Sequence, residues 1–113
     1  MSEHYILKDR TPVAASLLEW ARWFENREAR RVGRNEVKGF EVSTVFLGLD
    51  HNFSGVGAPV LFETMVFGEK RGDDLYCERY STYEEAEAGH AKVVAALESG
   101  KKPEELYATE VAK

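Results

Sequence analysis

Two strand-length apolar arms joined by a glycine-rich connection constrain this chain more than any other feature. The first arm, Glu41 to Phe53, carries Val42, Val45, Phe46, Leu47 and Leu49; the second, Val60 to Gly68, carries Leu61, Phe62, Met65, Val66 and Phe67. β-Branched and aromatic residues suit a pleated, half-buried surface, so two sequential strands are expected. The connection from Ser54 to Pro59 is too long for a two-residue turn and suits a flexible hairpin loop. Val45, Leu47 and Leu49 point one way and Phe46 the other, and the second arm is also apolar on both sides. A sheet apolar on both faces is usually buried on both, which predicts a homo-oligomer formed through whichever face the chain leaves uncovered.

The remaining elements follow in order. His4 to Lys8 reads as a short edge strand joining the sheet, and Thr11-Pro12 as the capped start of an amphipathic helix running to about Arg27. Val13, Leu17, Trp20, Ala21 and Phe24 recur there at helical spacing, with Trp23 widening the apolar side. Arg27 to Gly39 reads as a charged connection. Leu75 to Tyr80 is a third strand with Tyr76, Glu78 and Tyr80 on one face and Leu75, Cys77 and Arg79 on the other, reached through a polar turn at Glu69 to Asp74. Ser81 with Glu84, or Thr82 with Glu85, has the spacing of a capping box. It opens a helix whose apolar face holds Ala86, His90, Val93, Val94 and Leu97, and which Gly100 and Pro103 end. In the tail from Lys101, flexible or docked as a helical turn, Leu106, Tyr107 and Val111 are the apolar positions. The expected fold is a single α+β domain spanning residues 1–113: an antiparallel sheet of three to four strands with two helices packed on one face.

Composition narrows the function classes. With 113 residues, 43% of them hydrophobic, the chain supports one core. A net charge of −5 argues against a coat for bulk nucleic acid or a binder of anionic membranes, both of which need a strongly basic face. Cys77 is the single cysteine, so no intrachain disulfide forms, and no membrane-spanning run or signal-peptide pattern is seen. A protein of the cytoplasm is expected.

Several residues have the chemistry of a site. Arg30, Arg31 and Arg34 concentrate guanidinium groups, whose paired donors match phosphate oxygens; a solvated connection neutralised by Glu28 and Glu36 is the alternative. Asp50, His51 and Asn52 combine a carboxylate, an imidazole and an amide. Asp50 and Asn52 also suit the turn that leaves the strand, because short polar side chains bond to nearby backbone. His90 on the apolar helix face reads first as a hydrogen-bonded core histidine, with Gly89 allowing close packing; its functional alternative is a pairing with Glu63 or Asp50. Glu63, in an apolar strand, needs a partner, and Arg79 is available; in a site, Glu63 would read a base edge while Arg79 holds phosphate. Phe46, Phe53 and Tyr80 are core aromatics or stacking platforms. No zinc spacing, serine elbow or phosphate-loop fingerprint is present, and no cofactor is expected.

Taken as strings, Thr11-Pro12-Val13 leading into Trp20-Ala21-Arg22-Trp23-Phe24, Val42 to Phe53, Leu61 to Gly68, and Glu78 to His90 resemble a family of small proteins encoded by bacteriophages and prophages. The resemblance covers most of the chain up to about Leu97. It implies a counter-defence role, one class of which, the sponge proteins, sequesters the nucleotide second messengers of CBASS or Thoeris immunity. On that basis the expected function is non-enzymatic capture of a cyclic nucleotide at a subunit interface in the infected cell. Its ligand-binding candidates are Arg30, Arg31, Arg34, Phe46, Asp50, His51, Asn52, Glu63, Arg79 and Tyr80. The rivals are a small hydrolase or lyase using His51 or His90 as general base, and a protein inhibitor of a host factor.

Overall fold

The computed structural model describes residues 4–68 and 74–106. It is an α+β fold. Strand β1 (Tyr5–Lys8) pairs with β2 (Thr11–Ala14), followed by α1 (Leu17–Phe24), α2 (Arg27–Arg30), four strands β3 (Arg31–Val37), β4 (Phe40–Phe46), β5 (Phe62–Phe67) and β6 (Asp74–Tyr80), and α3 (Tyr83–Glu98). The four strands form an antiparallel meander in the order β3-β4-β5-β6, while β1 and β2 form a separate two-stranded sheet. The edge strand expected from His4 to Lys8 therefore does not join the meander: His4 bridges to Leu49 beyond the end of β4, and Tyr5 and Leu7 pack against the cluster of Phe46, Leu61 and Phe62.

Three further expectations are corrected. Thr11-Pro12 does not cap a helix. Asp9 and Arg10 adopt positive φ (49° and 68°), the geometry of a two-residue hairpin turn, and Pro12 lies extended in β2. Ser16 takes the capping role, its hydroxyl accepting from the Glu19 amide at 3.2 Å, and α1 ends at Phe24. The charged stretch after it is not a loop. Asn26 caps the single turn α2, and the chain then enters edge strand β3, returning through Lys38 and Gly39, both at positive φ. The first apolar arm also stops short: Gly48 takes φ 76°, and β4 ends at Phe46. A side chain at Gly48 would collide with Phe24 and Trp20, so this glycine lets α1 lie against the end of the sheet.

Alternation then sorts the sheet into two faces. Val42, Thr44 and Phe46 from β4 and Phe62, Thr64 and Val66 from β5 are buried beneath α3, which contributes Ala86, Gly89, His90, Val93 and Leu97. α1 lies on the same side through Trp23, whose ring stands edge-on to Phe46 at 5.5 Å. The helical turn at 103–106 docks Leu106 into the cluster of Val37, Val42, Val66, Tyr76, Val93 and Leu97; Tyr107 and Val111, like the turn at 69–73, lie outside the described residues. Helix α3 begins with a full capping box between Thr82 and Glu85, the second of the two spacings read from the sequence.

Gly89 is where α3 touches the sheet most closely, since any β-carbon there would run into the Tyr80 ring. Gly89→Ala should therefore destabilise the fold by roughly 1 kcal/mol: overpacking of 1–3 kcal/mol outweighs a helix-propensity gain of about 1 kcal/mol. Urea unfolding checks this, and a stability increase would contradict the close approach.

Candidate functional site

The buried face is polar at its centre. Thr44 and Thr64 are register partners, and they separate the apolar cluster around Val42 and Val66 from the one around Phe46 and Phe62. Their hydroxyls lie 2.6 Å apart, Thr44 Oγ1 is 2.7 Å from His90 Nδ1, and His90 Nε2 is 2.7 Å from Asn35 Oδ1. With Asn35 presenting its oxygen, Nε2 carries the proton and donates to it. Nδ1 then accepts from Thr44, Thr44 accepts from Thr64, and Thr64 Oγ1, 3.2 Å from the Tyr80 hydroxyl, shares that one proton with Glu78. Glu78 closes the far end, with the Tyr76 and Tyr80 hydroxyls each 3.1 Å from its Oε1. His90 is only 9% exposed, and burial holds its imidazole below the ordinary value. It is the hydrogen-bonded core histidine that the helix pattern suggested, and its partners are Thr44 and Asn35 rather than Glu63 or Asp50.

The opposite face carries the remaining chemistry. Among the described residues no helix covers it. Register places Arg31, Val45, Glu63 and Arg79 in one row across the four strands and Arg34, Ser43, Met65 and Cys77 in the next; Glu36, Glu41, Phe67 and Asp74 form the last. Glu63 accepts from Arg79 Nε at 2.9 Å, the ion pair anticipated for a carboxylate in an apolar strand. Arg34 donates to both oxygens of Glu41, at 3.1 and 3.3 Å, and that hydrogen bonding raises its pKa. Arg31 pairs more loosely with Glu28, at 3.4 Å. The Cys77 thiol donates to Glu63 Oε2 at 3.4 Å, and its pKa is pushed up to about 11 by burial first and the Glu63 charge second. Such a thiol is a poor nucleophile at neutral pH.

Of the ten candidates, Arg31, Arg34, Glu63 and Arg79 thus share this open face, and the other six do not join them. Phe46 is fully buried between Trp23 and Phe62 and has no surface on which a base can stack. Tyr80 points beneath α3. Arg30 lies with its guanidinium over the Phe24 ring at 3.8 Å, burial and the neighbouring Arg27 lowering its pKa. Asp50, His51 and Asn52 build the loop. Asp50 Oδ1 accepts from the amides of Asn52 (2.8 Å) and Val60 (2.9 Å), and the Asn52 amide donates to the carbonyls of Val56 (2.8 Å) and Ala58 (2.9 Å). His51 Nδ1 donates to the Leu49 carbonyl at 2.9 Å. The turn-forming reading of Asp50 and Asn52 therefore accounts for their contacts.

Thr44, Thr64 and Asn35 were not singled out from the sequence, although a Val-x-Thr-x-Phe strand beside a Phe-x-Thr-x-Val strand places two hydroxyls at one level of the core. No group of three or more metal-ligating side chains occurs among the described residues, and no helix there is long and apolar enough to cross a membrane. No protein-family model, curated protein or solved structure matches the chain.

Two expected outcomes follow from these environments. Because His90 titrates lower folded than unfolded, the unfolded chain binds more protons below the ordinary imidazole value of about 6.5. Stability should be whole above that pH and fall as pH drops toward the folded value; His90→Gln should lose this slope in urea titrations at pH 7 to 5, and an unchanged slope would contradict it. Cys77 should react slowly with aromatic disulfides at pH 8, and Glu63→Gln should quicken it by removing the adjacent charge; equal rates would show that the carboxylate has no hold on the thiol.

Proposed function

We propose that this is a non-enzymatic binding protein that captures a phosphate-bearing signal of the cyclic-nucleotide class on its open sheet face. The observation that carries the reading is the placement of Arg31, Arg34 and Arg79 on one uncovered face, around Glu63, Ser43 and Met65. Guanidinium groups bind phosphate oxygens through paired charged hydrogen bonds. Glu63 is placed to accept from an amino group on a base edge, and Met65 and Phe67 offer apolar contact beneath a ring. General-base chemistry is less well supported, since both ring nitrogens of His90 are engaged by Thr44 and Asn35, and Asp50, the carboxylate beside His51, bonds to the Asn52 and Val60 amides rather than to the imidazole. The resemblance to phage proteins makes an immune second messenger in the cytoplasm of an infected bacterium the natural ligand.

A second reading, inhibition of a host protein, is favoured by the loop tip, where Phe53 and Val56 are 85% and 79% exposed. Large apolar side chains presented together on a surface mark a contact site.

The test is incubation of purified protein with cyclic oligonucleotides and cyclic ADP-ribose isomers, followed by heating and chromatography of what is released. Intact ligand is expected from wild type. Arg31→Glu should weaken capture roughly tenfold to a hundredfold, the worth of a charge-assisted contact, without lowering the melting temperature. A converted product would favour the enzyme reading. Failure of the whole panel, with a host protein retained through Phe53, would favour inhibition.

A further inference from the structure

We infer that the buried line from His90 to Glu78 is a proton-driven switch: protonation of His90 turns every hydroxyl in the line end for end, so that a charge taken up beneath α3 tightens a hydrogen bond at the Glu78 edge of the sheet. Gly33, Thr44, Thr64 and Glu78 are register partners in one row across β3, β4, β5 and β6. The His90 ring lies over Gly33 and the Tyr80 hydroxyl lies against Gly89, two places where a β-carbon would leave no room. From His90 Nδ1 through the hydroxyls of Thr44, Thr64 and Tyr80 to Glu78 Oε1, the successive distances are 2.7, 2.6, 3.2 and 3.1 Å.

Each hydroxyl has one proton to give and lone pairs with which to accept, so hydroxyls in a line point the same way. With His90 neutral they point toward its ring, and the Tyr80 proton is divided between Thr64 and Glu78. The imidazolium donates from both nitrogens. Nε2 keeps Asn35 as its acceptor, while Nδ1 now donates to Thr44, Thr44 to Thr64 and Thr64 to Tyr80, whose proton goes wholly to Glu78. The added proton comes from solvent and stays on the ring; the hydroxyls only rotate, and none of these donors loses its acceptor. Glu78 is the charged side chain on which the line ends. Arg34, Glu36, Glu41, Glu63 and Arg79 lie on the opposite sheet face, and Glu87 and Lys92 of α3 are exposed. Burial keeps His90 neutral at pH 7, which sets the reversal on the acid side of neutrality. Coupling is reciprocal, so whatever takes Glu78 away from Tyr80 lowers the affinity of His90 for its proton.

The experiment is an acid titration of the full chain by nuclear magnetic resonance, following the imidazole nitrogens of His90, the carboxyl carbon of Glu78 and the ring carbon that bears the Tyr80 hydroxyl. The neutral ring is expected with its proton on Nε2, and the Glu78 and Tyr80 signals should move at the midpoint of His90. Thr64→Val keeps the shape of the side chain but removes the acceptor that Thr44 needs after reversal, so it should lower the proton affinity of His90 roughly tenfold. Glu78→Gln should lower it as well in the wild-type background and leave it unchanged in Thr64→Val. A fall in both backgrounds would mean that the charge acts through space, and that result, or a fall in neither, overturns the proposal. So would a neutral ring protonated on Nδ1, Glu78 and Tyr80 signals that ignore the His90 midpoint, or unfolding before His90 takes up its proton. If circular dichroism shows Thr64→Val to be unfolded, Tyr80→Phe replaces it: the Glu78 signal should then no longer follow His90, and a persisting response overturns the switch.

Discussion

The hydrogen-bonded line from Tyr80 through Thr64, Thr44 and His90 to Asn35 is the constraint on which the rest of the structure depends. It ties α3 to all four strands at one level, between two apolar clusters that fill the space on either side. An apolar core alone tolerates small slips, whereas a buried hydroxyl or imidazole left without a partner costs about 1–3 kcal/mol. The line therefore fixes how the helix sits on the sheet. It also fixes which sheet face is inside: a one-residue slip of β5 would turn Glu63 into the core and Thr64 out of it. Tight contact follows from small residues at the crossing points, since Gly33 leaves room for the His90 ring and Gly89 for Tyr80.

Sealing one face leaves the other to face outward. Its residues are too charged for an ordinary core and too apolar at the centre for an ordinary solvated surface. Three arginines are held there in ion pairs with carboxylates of the same chain, so the face is preorganised rather than loose. Preorganised donors lose less freedom when an anion replaces the carboxylate.

Much of this was legible in the residues. The facing of β6, the apolar stripe and capping box of α3, the Glu63 to Arg79 pair, and the turn work of Asp50 and Asn52 all follow from local rules, because each depends on neighbours a few positions away or on strict alternation. What misled was charge and proline. Edge strands carry charges for protection, so β3, with Arg31, Arg34 and Glu36, looks like a connection when read alone. Its turn, Lys38-Gly39 between Val37 and Phe40, was the available signal. Pro12 at φ near −65° fits an extended strand as readily as a first helical turn, and only the pairing of β2 with β1 decides between them. The polar line under α3 was hidden for another reason: it joins residues up to 55 positions apart, and no local pattern relates Asn35 to His90.

The central claim is that one sheet face is sealed and the other binds. The most direct measurement is nuclear magnetic resonance titration of labelled protein with the cyclic nucleotides proposed as its ligands, following methyl and amide shifts. Changes concentrated at Arg31, Ser43, Val45, Met65 and Cys77, with Thr44, Thr64 and Val66 unmoved, are what this division of the sheet requires. Changes centred on Phe53 and Val56, or on the residues beneath α3, would contradict it.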